Sequence, residues 1–346
     1  MTNSEFRKDP VSNEWILIAS GRLKYYLKKN KKFYMGRPYP RVRTPKTRCP
    51  FEKPFENISE RIILGYGRHY DGDPKVFPKS DNRWEILLLQ NRYPVVRHES
   101  KKVFRRKLGI YEVLSGVGRA DVLLTREHGQ NFPKLDEWGA HTIFRAFRDR
   151  YKMLVKEKNI EYALAFHNWG SGAGASVYHP HYQVIGLPIV PPDIARTLLG
   201  SKSYFAKHKR CVHCDVIKEE KKIKRHIIAE NEEAVAFAPF ASRNPFEVRV
   251  FPKAHFSNLE DSPEELLCAT AAILQKVLSM VEKKLGDPDY NFFVHSAPLV
   301  DGKKYNHYHW HIEVFPKLST RAGFEFGTGI DVNSFDPSFV ANILRK

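Results

Sequence analysis

Residues 162–181 read Tyr162-Ala-Leu-Ala-Phe-His167-Asn-Trp-Gly-Ser-Gly-Ala-Gly-Ala-Ser-Val-Tyr-His179-Pro-His181, and the fold is decided by a second, degenerate copy of them. Tyr162–His167 alternates as a strand does, and His179-Pro-His181 follows after eleven intervening residues. Tyr290-Asn-Phe-Phe-Val-His295 has the same form, with His309-Trp-His311 after thirteen. Upstream, Asp121-Val-Leu-Leu-Thr-Arg-Glu-His128 parallels Glu247-Val-Arg-Val-Phe-Pro-Lys-Ala-His255. The offsets are 127 (His128 to His255), 128 (Tyr162 to Tyr290) and 130 (His179 to His309), and offsets this nearly equal define a duplication. A helix is expected between the matched strands. In the first copy Phe144, Phe147, Tyr151, Leu154 and Val155 recur at helical spacing. In the second, Ser262-Pro-Glu-Glu265 reads as N-cap, N1 proline and capping-box glutamate, with Gly286 as the closing residue.

Cys49-Pro-Phe-Glu52 and Cys211-Val-His-Cys214 form an earlier match at an offset of 162. The first copy therefore carries about 35 extra residues, much of the surplus expected in the Gly/Pro/Asp-rich stretch 65–79. Each copy runs Cys motif, strands, helix, strand, His-x-His strand. That pattern predicts an α+β fold of two tandem domains, each an antiparallel sheet with packed helices. The expected boundary follows Pro188-Ile-Val-Pro-Pro192, giving domains 1–192 and 193–346.

Composition bounds the function. A chain of 346 residues with 42% hydrophobic content can bury two cores and is not disordered. Its longest apolar runs are four or five residues, as at Ile86–Leu89, so no membrane span is expected. Met1–Arg7 has no apolar signal region, and four cysteines are too few for a disulfide scaffold. The expectation is a cytoplasmic protein in which Cys-x-x-Cys serves metal or redox chemistry. The formal charge of +18 is spread over clusters at 22–32, 41–48, 101–107 and 218–225, without an RNA-binding signature. A distributed positive field of this kind also concentrates small phosphates, so nucleic acid is not the expected partner.

The duplication points to two metal sites. Cys211, Cys214, His255 and His309 make a Cys2His2 set suited to tetrahedral zinc. The matching set in the first copy is Cys49, Glu52, His128 and His179, poorer in thiolate. Cys268, within the capped helix, reads as a core residue.

The chemistry is expected on 168–183. Gly170, Gly172 and Gly174 leave a backbone that can approach a ligand and offer N–H groups to a phosphate. The segment then enters a strand on which residues 179, 181 and 183 share one face. His181 is thus the expected nucleophile, since neutral imidazole attacks phosphorus without a strong base. Gln183 is placed to donate to a non-bridging oxygen, and Ser176 to stabilise charge on the transferred phosphoryl group. In the second copy His307-Tyr-His309-Trp-His311 has no glycine turn before it and reads as vestigial. A register shifted by two residues would instead match His309 to His181, and would leave His295, His311 and Glu313 as an extra metal cluster.

The stretch Asn168-x-Gly…Ser176-x-x-His179-Pro-His181-x-Gln183 resembles the active-site signature of galactose-1-phosphate uridylyltransferases, the transferase branch of the histidine-triad superfamily. The resemblance extends to Arg7-Lys-Asp-Pro10…Trp15-Ile-Leu, Asn91-Arg-Tyr-Pro-Val-Val96 and Ala322-Gly-Phe-Glu325-Phe-Gly-Thr-Gly329. It implies a ping-pong nucleotidyltransferase in which His181 takes a nucleotidyl group from a nucleotide sugar such as UDP-glucose and passes it to a sugar 1-phosphate. It also implies a zinc ligand in His179, a nucleotide side lined by Arg22, Asn91 and Asn168, and a homodimer whose Phe324 and Glu325 reach the hexose across the interface. Glu52 departs from the family's Cys-Pro-x-Cys, whereas the intact second Cys pair is more like plant-type relatives acting on ADP-glucose. The alternative is therefore an ADP-glucose or dinucleoside-polyphosphate phosphorylase using the same intermediate. Hydrolysis, and a non-catalytic nucleic-acid-binding relative, rank below both.

Overall fold

The computed structural model describes residues 4–23, 43–57, 62–68, 83–98, 104–299 and 302–346, so most of the stretch 65–79 lies outside the described residues. An antiparallel pair opens the chain, β1 (Ser4–Lys8) with β2 (Trp15–Ala19). The first copy contributes β3 (Ile62–Tyr66), β4 (Ile86–Gln90), the hairpin β5 (Arg105–Leu108)–β6 (Tyr111–Leu114), and β7 (Arg119–Thr125). Helix α1 (Glu137–Leu154), β8 (Tyr162–Trp169) and β9 (His181–Leu187) complete it. Two helices follow, α2 (Pro192–His208) and α3 (Val212–Ile223). The second copy adds β10 (Ile227–Glu230), β11 (Ala234–Phe237), β12 (Val248–Pro252), α4 (Glu264–Leu285), β13 (Tyr290–His295) and β14 (His311–Pro316). Helix α5 (Gly323–Thr328), β15 (Val332–Asn333) and α6 (Pro337–Arg345) close the chain.

The fold is α+β, and the duplication appears in the strand order. One ten-stranded sheet runs β10-β11-β12-β14-β13-β8-β9-β7-β4-β3. Read outward from its middle, each half has the same sequence of strands, and the halves meet where β13 pairs antiparallel with β8. The surplus of the first copy falls in two places. The link between β3 and β4 is 67–85 against 231–233, and the next link is 91–118, carrying the β5–β6 hairpin, against 238–247.

One face of the sheet is dry. Alternate residues such as Leu123, Tyr182, Phe292 and Val314 point to it and are covered by α1 and α4. Phe144, Phe147, Tyr151 and Leu154 of α1 are fully buried there, while Val155, at the end of the helical spacing, is the C-cap and exposed. Trading any one of these aromatics for alanine would cost about 3–5 kcal/mol. The α4 start differs from the capping-box expectation. Ser262 Oγ accepts from Trp310 Nε1 at 2.8 Å, and Pro263 stands at the N-cap with no side-chain bond. At the other end Gly286 takes the left-handed conformation expected of it (φ 71°). Cys268 is half-buried beside a groove lined by Trp138 and His141, not sealed in the core.

The opposite face carries the functional residues. In the first half it is covered by the Cys49–Asn57 segment, whose Phe51 and Phe55 lie on Trp84, Leu87, Leu89, Val122 and Leu124. In the second half α3 covers Val235, Phe237 and Phe251 through Ile217. The N-terminal arm packs on the second half. Arg7 bonds Asp336 at 2.6 Å, Asp9 accepts from the partly buried Arg249 at 3.1 Å, and β15 adds parallel to β2. No helix among the described residues is long and apolar enough to cross a membrane.

Candidate active site

His181 opens β9 and is only 6% exposed. Its Nδ1–H donates to the His179 carbonyl at 2.9 Å, which leaves the lone pair on Nε2. Burial holds its pKa below the ordinary histidine value, favouring the neutral ring. Gln183 lies two residues along on the same face, paired with Val122 and Phe166 of the flanking strands. Tyr182 points into the core and packs on His167, Phe132 and Phe147.

One residue of the first metal motif that sequence reasoning does not single out touches the site. Phe51, inside Cys49-Pro-Phe-Glu52, meets His181 edge-on at 5.2 Å and His179 at 5.8 Å between ring centroids. Its place inside the motif was the available signal. A second unforeseen residue lies beneath the sheet. His167 bonds the His181 carbonyl at 2.7 Å through Nδ1 and Asn131 Oδ1 at 2.9 Å through Nε2.

The glycine turn is wired differently from the expectation. Gly170 (φ 88°) and Gly174 (φ 90°) use the positive φ that glycine allows. Gly170 O accepts from Ala173 N and Ala175 N, and Ser171 O from Gly174 N. Gly172 N donates to Asp289 Oδ2 at 2.7 Å, so this glycine serves the shape of the turn and offers no N–H to a ligand. A Cβ there would lie 2.7 Å from the same carboxylate oxygen. Exposed Ser176 follows the turn, and no carbonyl among the described residues takes its amide. Asn168 stands on β8 one step past the His167–Tyr182 pair, level with His181.

The structure brings each proposed metal set together, its donor atoms within 4.8 Å of one another. In the first, Glu52 Oε1 is 2.6 Å from His128 Nδ1 and 3.3 Å from His179 Nδ1, and Cys49 Sγ is 3.6 Å from His179 Nδ1. The far nitrogens bond backbone oxygens, His128 Nε2 to Thr44 at 2.8 Å and His179 Nε2 to Thr125 at 2.7 Å. Donation by Nε2 turns both Nδ1 lone pairs toward a carboxylate and a thiol, an arrangement that a cation stabilises. In the second, Cys214 Sγ is 3.3 Å from His255 Nδ1 and 3.5 Å from His309 Nδ1, and His255 Nε2 bonds Asn306 O at 3.0 Å. The Cys214 thiol and the imidazoles hold Cys211 well below the usual thiol range. Both sets fit a divalent metal.

The shifted register is overturned, since His309 joins the cysteine pair and His295, His311 and Glu313 form no third metal set among the described residues. Glu313 is instead gripped by Arg243 at 2.7 Å and Arg249 at 3.0 Å. His311 Nδ1 bonds His309 O at 3.0 Å, repeating the His181 tether, but its ring stacks between Phe251 and His295. The cavity beside it measures about 150 Å³ and is lined by Asp9, Val11 and Glu14 among others. That is below the roughly 300–1,000 Å³ of pockets that take drug-sized molecules.

Four expected substrate residues lie elsewhere. Exposed Arg22 follows β2; the Glu325 carboxyl is held below its ordinary pKa chiefly by the Ala322 amide, with Arg22 the least of the contributors. On α5 Phe324 is exposed and Glu325 half-buried, and no hydrogen bond or ring contact among the described residues joins them to the His181 turn. Asn91 ends β4 and lines an open groove with Arg92, Tyr93 and Arg97.

Comparison with known proteins gives the class. Residues 68–191 match the N-terminal domain of galactose-1-phosphate uridyl transferase, and residues 136–346 match a domain of unknown function, DUF4921. An ADP-glucose phosphorylase from Arabidopsis thaliana is 31% identical over 99% of this chain and 92% of its own. A galactose-1-phosphate uridylyltransferase from Thermotoga maritima is 24% identical over 99% and 98%. The crystal structure of an Arabidopsis thaliana ADP-glucose phosphorylase with bound ADP-glucose superposes with a TM-score of 0.79 at 28% identity, covering 99% of both chains. Fold and relatives together define an enzyme of the nucleotidyltransferase type within the histidine-triad superfamily. The uridylyltransferase pattern spans β9, and the phosphorylase relative spans nearly the whole chain. This chain belongs to the galactose-1-phosphate uridylyltransferase family.

Proposed function

We propose that the protein transfers a nucleotidyl group from a nucleoside diphosphate sugar through a covalent intermediate on His181, with ADP-glucose as donor and inorganic phosphate as acceptor. The observation that carries this reading is the His181 tether. With Nδ1 engaged by His179 O, Nε2 keeps the ring's lone pair, and the β8–β9 register sets His181 level with Asn168. Nε2 attacks the α-phosphorus, the N–P bond forms, and the P–O bond to the β-phosphate breaks to release glucose 1-phosphate. A phosphate oxygen then attacks the same phosphorus, giving ADP and free His181. Asn168, Gln183 and Ser176 supply donors to the phosphoryl oxygens. Burial among Phe51 and the strands keeps the ring neutral and oriented.

The sequence alone ranks uridylyl transfer to a hexose 1-phosphate first. The greater identity with the phosphorylase, and the Cys211–Cys214 pair, reverse that order. The two readings separate in one assay. ADP-glucose with phosphate is expected to exceed UDP-glucose with galactose 1-phosphate in kcat/KM by about tenfold or more, the scale of one net hydrogen bond. The reverse ranking would restore uridylyl transfer, and turnover of neither pair would sink both.

Zinc is the metal that the two sets favour, through their thiolate and imidazole ligands. Its contribution when bound is structural: it would tie the Cys49 loop, and with it Phe51, to the nucleophile strand. The reading also includes two domains, 1–192 and 193–346, a cytoplasmic location, and a homodimer. In that dimer Phe324 and Glu325 serve the site of a second copy, in keeping with the lack of any hydrogen bond or ring contact between them and the turn of their own chain among the described residues.

A further inference from the structure

We propose that Asn291, supplied by the second half of the chain, is the positioning residue that fixes Asn168 as a hydrogen-bond donor beside the nucleophile. The proposal rests on the nucleotidyl-transfer reading above. The sheet register places the three residues in one row. Asn291 of β13 is the cross-strand partner of Asn168 on β8, and the β8–β9 register brings Asn168 level with His181. The row crosses the junction between the two copies, so one half of the duplication sets the geometry of the other's active site.

The amide chemistry gives the row a direction. Asn291 Nδ2 donates to Asn168 Oδ1 at 2.7 Å and to Ala173 O at 2.8 Å. An amide nitrogen has two hydrogens, and both are engaged. Once Asn168 Oδ1 is held toward β13, its own Nδ2 faces the glycine turn, 3.6 Å from where a Cβ on Gly174 would sit. The side chain therefore presents hydrogens, not a lone pair, to an anion bound there. Released from Asn291, the amide can rotate and oppose an oxygen to a phosphate oxygen. Asp289 completes the hold by accepting from Gly172 N. The turn is thus pinned at Gly172 by Asp289, just before β13, and at Ala173 by Asn291, the second residue of β13. The second half has no glycine turn of its own, and in this arrangement its strand supports that of the first.

The test uses ADP as probe and the full-length chain, with binding followed by calorimetry. Asn291→Ala frees the amide and is expected to weaken ADP binding about fivefold. Asn291→Asp accepts but cannot donate, so it turns Asn168 Nδ2 away from the site. It is expected to weaken binding about tenfold beyond the alanine variant, at the same thermal midpoint. In an Asn168→Ala background the aspartate is expected to have no such extra effect, because the residue through which it acts is gone. An aspartate penalty that persists in that background would show direct charge repulsion and overturn the proposal, as would equal binding by the alanine and aspartate variants. Formation of a nucleotidyl adduct on the wild-type chain is scored separately. An adduct without the Asn168–Asn291 coupling overturns the role of Asn291 and leaves the transfer reading intact. Absence of the adduct counts against the transfer reading, whereas coupling in ADP binding alone decides Asn291.

Discussion

Asparagine in place of His181 is expected to reduce turnover by about four orders of magnitude or more while ADP-glucose binding stays within a few-fold of wild type. Removal of a covalent nucleophile costs on this scale because no uniform binding energy compensates for a bond that cannot form. Neither His179 nor His311 can stand in for it. His179 is two residues away, but its Nε2 bonds Thr125 O and its Nδ1 faces Glu52 and Cys49. His311 has the same backbone tether, yet two strands, β13 and β8, separate its strand from β9. Asparagine keeps a donor able to reach the His179 carbonyl, so the local backbone is expected to survive. Steady-state kinetics with a parallel binding isotherm checks both halves of the statement.

Cys214→Ser is expected to lose one bound zinc per chain and to lower the thermal midpoint by about 10 °C or more, while leaving the first metal set loaded. The second set ties together three distant parts of the chain. Cys211 and Cys214 stand at the start of α3, His255 follows β12, and His309 precedes β14. A structural zinc contributes its binding free energy to folding, and several kcal/mol lost from a chain of this size amounts to a shift of that order. Elemental analysis alongside thermal denaturation tests the prediction. Unchanged metal content in the variant would contradict it. In the first set Glu52 replaces a thiolate with a hard oxygen, so this site is expected to yield its zinc to a chelator first.

The repeat was legible because strand alternation and the histidine spacing survive divergence. Tyr162 and Tyr290, with His179 and His309, preserve that spacing across two halves that share little else. Both metal sets were legible for the same reason, as ligand types are few and their matched positions carry the signal. The wiring of the glycine turn was not legible. Its partners, Asp289 and Asn291, lie 117 and 118 residues from Gly172 and Ala173, and nothing within 168–183 names them. A local rule also failed at Ser262, where a buried indole N–H needs the hydroxyl more than the helix end does. The packing of the N-terminal arm on the second half depends on contacts such as Arg249 to Asp9, 240 residues apart, which no window of sequence displays. The charge of +18 is only partly absorbed by a site for anionic substrates, and the exposed lysines of α2 and α3 lie outside it.

The central claim is a nucleotidyl group carried on His181. Intact-mass analysis of the chain after incubation with ADP-glucose in the absence of phosphate tests it most directly. The account predicts the mass of one adenylyl group per chain, acid-labile, mapped to the peptide containing His181, and discharged as ADP when phosphate is added. No adduct is expected on His181→Asn. Turnover without any adduct from ADP-glucose or UDP-glucose, or an adduct that persists in the asparagine variant, would contradict it.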